Sequence, residues 1–119
     1  MEPLVVIVPV YNAEPTLVNV VKGVRRNLPG AQIIGVDDGS TDGSRKLLRT
    51  VADDTIEFDK NRGKGAALRA AFEKALANGA AAVLTIDSDG QHDPADPQGR
   101  RHPRGKEDHA FVRVRARAG

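Results

Sequence analysis

Two aspartates separated by one residue, Asp87 and Asp89, follow a short run of strand-forming residues, Val83–Ile86. Carboxylate oxygens are hard ligands, so this pair matches Mg²⁺ or Mn²⁺ better than it matches a metal that prefers thiolates. Because such ions are usually shared with substrate phosphates, the pattern predicts a site for a metal-bound diphosphate. The alternative is a polar loop whose Asp and Ser residues cap the next helix. His92 lies just beyond, either as a further metal ligand or as a solvent-facing residue.

A second acidic loop, Asp37–Gly43, follows another predicted strand. Asp38, or its neighbour Asp37, can accept hydrogen bonds from a nucleobase N–H or a ribose hydroxyl. Because two buried neighbouring carboxylates would repel each other, we expect one in the site and the other capping a helix or solvated. Gly39 would let the backbone come close to a ligand. A turn and helix cap at Ser40–Asp42 is the alternative reading and is compatible with the first.

Arg62 and Lys64 alternate with glycines in a loop that leads into a predicted helix. Backbone N–H groups in such a loop can face an anion, and a helix N-terminus favours negative charge, so the two cations could hold a diphosphate. A solvated basic loop is the alternative. The loop matches neither G-x-x-x-x-G-K-[ST] nor G-x-G-x-x-G, which disfavours ATP-loop chemistry. Tyr11, the single tyrosine, could stack on a base or pack against the first helix.

The elements that must position these loops alternate between strand and helix patterns. Apolar runs predict strands over 4–8, 32–36, 55–58 and 82–86, and helical periodicity predicts helices over 14–28, 44–51 and 66–77. Pro9 is expected to end the first strand. This alternation predicts an α/β fold with a mostly parallel sheet flanked by helices, in which ligands bind beyond the carboxyl ends of the strands. The inner face of the third helix is expected to comprise Leu68, Ala71, Phe72, Ala75 and Leu76.

Composition limits the possible classes of protein. The 119 residues suffice for one modest domain, and with 39% hydrophobic but only 3% aromatic residues its core must be mostly aliphatic. Cysteine is absent, which excludes disulfides and cysteine catalysis and suits a reducing compartment. No apolar run approaches the roughly 20 residues that cross a bilayer, and we expect no signal peptide.

The net charge changes sign along the chain. Up to Pro97 there are 11 Lys or Arg against 14 Asp or Glu, whereas residues 98–119 hold 7 against 2. We therefore divide the chain into a candidate functional unit, residues 1–97, and an atypical basic tail, residues 98–119. A basic tail can bind nucleic acid or anionic lipid, but this one has a single aromatic and no recognisable binding module, so no nucleic-acid partner is expected.

Four segments together resemble family 2 glycosyltransferases, especially the polyprenyl-phosphate (dolichyl-phosphate) sugar transferases. The resemblance covers about residues 4–97, the nucleotide-sugar half of that family's catalytic domain. Two departures stand out: Ala13 replaces the glutamate usual after Asn12 in that branch, and the residues after Pro97 match nothing in the family. Our hypothesis is that the tail is a frameshifted or truncated reading of a longer gene. The matching segments are Val8–Asn12, Val36–Gly43, Asn61–Leu68 and Asp87–Pro94.

The resemblance implies a Rossmann-like nucleotide-diphospho-sugar transferase fold of GT-A type, a UDP- or GDP-sugar donor and a Mg²⁺ or Mn²⁺ cofactor. Polyprenyl phosphate is the implied candidate acceptor, with a cytoplasmic location or peripheral attachment to the cytoplasmic face of a membrane. By motif, Pro9, Tyr11 and Asp38 would hold the nucleotide, and the loop of Arg62 and Lys64 would lie near the base and phosphates. Asp87 and Asp89 would be the metal and sugar-diphosphate carboxylates, with Asp89 catalytic and Gln91 in substrate binding.

Two other functions stay open. One is a module that binds a nucleotide-sugar without transferring it, because the acceptor half is missing. The other is a receiver-type α/β domain with Asp37 and Asp38 as a phosphoacceptor cluster, although this does not explain Asp87, Asp89 and the basic loop together. We also expect a four-stranded sheet whose uncovered edge promotes self-association into a homo-oligomer.

Overall fold

The computed structural model describes residues 3–88 and 110–113. Three helices alternate with four strands, and a fifth strand follows. Of the sequence predictions, the second helix and the fourth strand have the observed bounds. The elements are β1 (Leu4–Val10), α1 (Glu14–Asn27), β2 (Gln32–Asp38), α2 (Ser44–Val51), β3 (Asp54–Phe58), α3 (Lys64–Ala77), β4 (Ala82–Ile86) and β5 (Ala110–Arg113).

The strands form one sheet in the order β3-β2-β1-β4-β5. The first four are parallel, as predicted, and β5 pairs antiparallel with β4, from Val83 opposite Arg113 to Ile86 opposite Ala110. The edge of β4 that we expected to be uncovered is therefore paired within the chain, by a strand that the sequence did not predict. Oligomerisation stays a prediction.

Helices cover both faces of the sheet. Alternating residues of β1 divide between two apolar clusters, with Val6 and Val8 facing α1 and α2, and Val5 and Ile7 facing α3. This two-sided burial explains why β1 is a continuous apolar run. Among the described residues, no helix is both long and apolar enough to cross a bilayer.

Helix α3 approaches the sheet through small side chains. Ala67, Ala71 and Ala75, spaced four residues apart, are fully buried, whereas Leu76 is 38% exposed. The predicted inner face was therefore wrong at Leu76 and omitted Ala67. A stripe of alanines lets the helix axis lie close to the sheet, and the larger Leu68 and Phe72 pack at the margin, partly buried.

The prediction that Pro9 ends the first strand was wrong, because β1 continues to Val10. Pairing of β1 with β4 stops at Ile7 opposite Thr85, whereas pairing with β2 continues to Val10 opposite Asp37. The Pro9 carbonyl accepts a hydrogen bond from Ser88, on the β4 side. The N–H and C=O of a strand residue point to the same side, so the missing proline N–H falls where the ladder to β4 has already ended.

Candidate functional site

A cavity of about 370 Å³ lies beyond the carboxyl ends of the parallel strands. It sits where the strand order reverses, between β1 and β4, which is the usual ligand site in open α/β sheets. Its volume is in the range of small-molecule pockets. The lining residues are Pro9, Val10, Tyr11, Asp38, Asn61, Gly63, Lys64, Ala67, Asp87 and Ser88. The structure thus brings together Pro9, Tyr11, Asp38, Lys64 and Asp87, as the sequence predicted.

Asp38 holds the loop between β3 and α3. Its Oδ1 accepts a hydrogen bond from the Arg62 N–H at 2.7 Å, and its Oδ2 accepts from the Gly63 N–H at 3.0 Å and the Asn61 side-chain amide at 3.1 Å. A carboxylate offers about four acceptor positions, so three are used within the chain. Among the described residues, no further side chain or backbone donor is bonded to Oδ1, which leaves one acceptor position on that atom.

Asp37 and Asp38 are both buried, so the second carboxylate is not solvated, which was one of the two roles that we expected for it. Strand alternation sends them to opposite faces of β2. Asp37 faces α2, where the Arg45 guanidinium lies 2.8 Å from its Oδ2, and this ion pair permits burial of the carboxylate. Within the described residues, Asp37 Oδ1 has no hydrogen-bond partner. Only Asp38 lines the cavity.

Lys64 and Asp87 form an ion pair inside the cavity. Lys64 Nζ lies 2.6 Å from Asp87 Oδ1, and the Asp87 side chain is 18% exposed. Lys64 is also the first residue of α3, whose first turn lines the cavity. In the part of the chain that is described, no side chain caps this helix, so its free N–H groups and positive dipole end are available to an anion. The wall therefore presents a carboxylate beside a cation and a helix N-terminus.

Arg62 and Tyr11 differ in how they relate to the cavity. The Arg62 guanidinium lies over the Phe58 ring, 4.4 Å from its centroid, and Arg62 is not among the lining residues. Tyr11 lines the cavity and is 50% exposed. A half-exposed ring that lines a pocket offers an aromatic surface on which a base can stack. The ligand roles of both residues remain predictions.

Asn12 joins the loops that follow β1 and β2. It adopts a left-handed conformation, with φ of 48°, which asparagine tolerates better than most residues. Its side-chain oxygen accepts hydrogen bonds from the Thr41 N–H at 2.8 Å and the Asp42 N–H at 3.2 Å. Glu14, which follows the divergent Ala13, accepts a hydrogen bond from the Gly43 N–H at 2.9 Å. These bonds hold the two loops in one fixed arrangement.

Other hydrogen bonds within these two loops account for the acidity of Asp42. Desolvation raises the pKa of Asp42, but hydrogen bonds from the Ser44 side chain and from the backbone N–H groups of Ser44 and Glu14 bring it below its usual range. The carboxylate is therefore ionised at neutral pH. It serves the loop structure at the start of α2, as the alternative cap interpretation of Ser40–Asp42 indicated.

Three predicted residues, Asp89, Gln91 and His92, lie outside the described part of the chain. Within residues 3–88 and 110–113, no three His, Cys, Asp or Glu side chains cluster as metal ligands. The donor chemistry still fits Mg²⁺ or Mn²⁺, because Mg²⁺ commonly uses one or two carboxylates and completes its shell with waters and substrate phosphates. The ammonium group of Lys64 already lies beside Asp87, so this carboxylate is placed to bind a positively charged group.

Several residues that organise the site had no individual role predicted from the sequence. Asn61 and Asn12 belong to the matching segments, but only the fold reveals that Asn61 binds Asp38 and that Asn12 binds the loop 29 residues away. Asparagine next to a strand end was the available signal, since it favours turns and left-handed backbone. Arg45, the partner of Asp37, had no sequence signal that distinguished it from a solvated helix cation.

The family model for "Glycosyl transferase family 2" matches residues 5–100. The chain belongs to glycosyltransferase family 2. It is 33% identical over 107 residues to a UDP-N-acetylglucosamine–dolichyl-phosphate N-acetylglucosaminyltransferase of Methanococcus voltae, with 76% of this chain and 42% of the relative covered. It is 35% identical over 101 residues to a polyprenol monophosphomannose synthase of Mycolicibacterium smegmatis, with 76% and 37% covered. The chain thus spans less than half the length of these family 2 relatives.

The fold is that of GT-A glycosyltransferases. A mannosyltransferase from Pyrobaculum calidifontis, solved in complex with GDP-Man and Mn²⁺, superposes with a TM-score of 0.65 at 26% identity. The superposition covers 74% of this chain and 28% of the mannosyltransferase. This confirms the predicted Rossmann-like architecture. The strand order β3-β2-β1-β4 also differs from the 2-1-3-4-5 order of receiver domains, which argues against the receiver alternative.

Proposed function

We propose that this chain binds a nucleotide-diphospho-sugar together with Mg²⁺ or Mn²⁺, as the donor half of a family 2 glycosyltransferase. The observation that carries the proposal is the cavity wall where Asp87, Lys64 and the first turn of α3 meet. A diphosphate is negatively charged, and both a lysine and a helix N-terminus attract negative charge. The adjacent carboxylate supplies a ligand for the divalent cation that a diphosphate normally brings with it.

The nucleoside part of the donor would lie toward Tyr11 and Asp38. The exposed ring of Tyr11 offers a stacking surface, and Asp38 Oδ1 retains one acceptor position for a base N–H or a ribose hydroxyl. Pro9 contributes the floor between them. Arg62 stacks on Phe58 and donates its backbone N–H to Asp38, so its contribution would be to shape the loop and to add positive charge near it.

The metal would supply Lewis-acid stabilisation of the departing nucleoside diphosphate when bound. Asp87, with Asp89 and Gln91 by motif, would hold and orient the sugar-diphosphate. Lys64 would release Asp87 and neutralise phosphate charge. In the proposed reaction the bond between the anomeric carbon and the diphosphate oxygen breaks, and the acceptor oxygen bonds to that carbon.

Polyprenyl phosphate is the proposed acceptor, since both named relatives carry a polyprenyl or dolichyl acceptor in their names. A lipid-linked acceptor would require contact with a membrane surface, so we propose peripheral association at the cytoplasmic face. The chain spans 42% and 37% of the length of these two relatives. We therefore propose donor binding independently of sugar transfer, which requires the acceptor as well.

Titration calorimetry with UDP, GDP and their sugars, with and without Mn²⁺, tests donor binding. The proposal requires at least one of the nucleotides to bind, with an affinity that rises when Mn²⁺ is added and falls in Asp87→Ala. Transfer of a radiolabelled sugar to polyprenyl phosphate would then assign the complete reaction to this chain. Binding without transfer would limit the chain to a nucleotide-sugar-binding role, and absence of any nucleotide binding would refute the proposal.

A further inference from the structure

The peptide that follows Asp87 is held by two elements other than its own strand. Strand β4 ends at Ile86, so the next residues lie outside the hydrogen-bonding ladder of the sheet. Such a segment would ordinarily be free to adopt several conformations. Here Ser88 is buried, with 3% of its surface exposed.

The first attachment is made by the Ser88 side chain. Its hydroxyl donates a hydrogen bond of 2.7 Å to the Pro9 carbonyl, across a buried gap between β4 and β1. This bond takes the place of a ladder bond at the point where β4 leaves the sheet. Ser88 therefore fixes its own backbone to the end of β1, beside Tyr11.

The second attachment is made to the Ser88 carbonyl. The hydroxyl of Thr16, in the first turn of α1, donates a hydrogen bond to this carbonyl. Thr16 is part-buried and also lies 3.4 Å from the Ala13 carbonyl, so its hydroxyl is confined between two acceptors. Residue 88 is thus held by its side chain from β1 and by its backbone from α1, while Asp87 faces Lys64 in the cavity.

We propose that Ser88 and Thr16 are positioning residues that fix the Asp87 carboxylate for a divalent cation and its diphosphate. Their hydroxyls are committed to carbonyl oxygens of the protein, so neither needs to contact the cation. A carboxylate held in place beforehand loses less conformational freedom when the cation binds. The inference rests on the proposed function, since it assigns the tether to the metal-dependent part of donor binding.

The experiment compares nucleotide affinity with and without Mn²⁺ in the full chain. For Ser88→Ala and Thr16→Val, we expect the Mn²⁺-dependent gain in UDP or GDP affinity to fall about tenfold, as is typical when groups that orient a metal ligand are removed. For Thr16→Val, whose side chain does not line the cavity, the affinity without metal should stay within about twofold of the wild type. Thr16→Ser, which keeps the hydroxyl, should restore the gain. Thr50→Val, which removes a hydroxyl that donates to the Leu47 carbonyl in α2, is the matched control and should change neither affinity.

The outcomes separate this inference from the function on which it rests. If the wild type gains no affinity from Mn²⁺, both are wrong. If the wild type gains affinity and the Thr16→Val chain keeps the whole gain, the positioning role alone is wrong. Equal losses with and without Mn²⁺ would likewise overturn it, because they would indicate a general role in the fold. Thr16→Val, at a part-buried position, provides this test even if Ser88→Ala does not fold.

Discussion

Lys64 Nζ lies 2.6 Å from Asp87 Oδ1, so a helix N-terminal lysine neutralises the carboxylate at the end of β4. The two residues are 23 positions apart in sequence and meet because α3 begins, and the parallel strand β4 ends, at the carboxyl ends of the strands. The pair places one positive and one negative group within reach of the same ligand. A diphosphate with its bound cation complements both groups, because the phosphates are negative like the usual partners of Lys64 and the cation is positive like the usual partners of Asp87.

Replacing Lys64 should therefore weaken phosphate binding more than it weakens the fold. For Lys64→Met we expect about tenfold weaker binding of UDP or GDP, equal to about 1.4 kcal/mol, and little change in binding of the uncharged nucleoside. Because the lysine side chain is 54% exposed, the free energy of unfolding should change by less than about 1 kcal/mol. Calorimetry and urea denaturation measure the two effects.

Lys74→Met is the matched control for that substitution. Lys74 lies on the same helix and pairs with Asp54 at 3.2 Å, at the edge strand β3. Its removal should leave nucleotide affinity unchanged. Equal losses from the two variants would show that general positive charge, and not the position of Lys64, attracts the nucleotide.

Removing the Asp38 carboxylate should release the loop between β3 and α3. Asp38→Ala leaves three donors without their acceptor, two of them backbone N–H groups, so we expect a loss of about 2–4 kcal/mol in the free energy of unfolding. Nucleotide affinity should fall as well, because the loop lines the cavity. Asp59→Ala, at an exposed aspartate near the same loop, should cost less than about 0.5 kcal/mol. Similar urea midpoints for the two variants would contradict the anchoring role.

Gly39 should not tolerate a side chain. Its φ is +78°, and a Cβ placed there would lie 2.4 Å from the Asn61 backbone nitrogen and 2.5 Å from the Lys60 carbonyl carbon. Backbone cannot move aside as a side chain would, so Gly39→Ala should destabilise the fold by more than about 2 kcal/mol. Gly30→Ala, where nothing lies within 4 Å of the added Cβ, is the control and should be close to neutral. Thermal unfolding of the two variants decides the matter, and equal midpoints would refute the close approach of the two loops.

Stability should decline in acid because several carboxylates are more acidic in the folded chain. The Arg49 guanidinium lowers the pKa of Glu57. For Asp53, desolvation raises the pKa, but hydrogen bonds from the Ile33 N–H and from Arg25 lower it by more, so the pKa lies below its usual value. A carboxylate with a lowered folded pKa stabilises the fold above its unfolded pKa, about 4, and this contribution is lost as the pH falls through the folded value. The urea concentration at the midpoint of unfolding should decrease as the pH is lowered below about 4.5. Asp53→Asn should make that decrease shallower. A midpoint independent of pH from 6 to 3 would contradict this.

Periodicity and composition predicted most of the architecture. The apolar run of β1, the amphipathic spacing of α1 and the glycine after Asn78 each carry their information locally, and the corresponding elements are present. The prediction for Pro9 was wrong because a strand can contain a proline where its neighbour on that side has stopped pairing. Where the neighbouring strand stops is a property of the sheet and cannot be read from the residues around Pro9. Strand β5 is another element that gains its role only from its partner, β4.

The site was predictable in its location and less so in its internal bonds. Loops at strand ends had to meet at one rim once the sheet was parallel, and Asp38, Lys64 and Asp87 do line one cavity. The burial of Asp37 was missed because it depends on Arg45, a residue eight positions away on a helix. Hydrogen bonds such as that from Ser88 to Pro9, 79 residues apart, likewise exist only after folding.

The most direct test of the account locates the cation itself. In the chain saturated with UDP or GDP, Mn²⁺ should broaden the backbone NMR resonances of residues 63–67 and 86–88, at the α3 N-terminus and the end of β4. Resonances of residues 28–31, which precede β2 at the amino ends of the strands, should stay sharp and serve as the internal control. Broadening centred away from Asp87, or none in the presence of nucleotide, would contradict the claim that this cavity holds a metal-bound diphosphate.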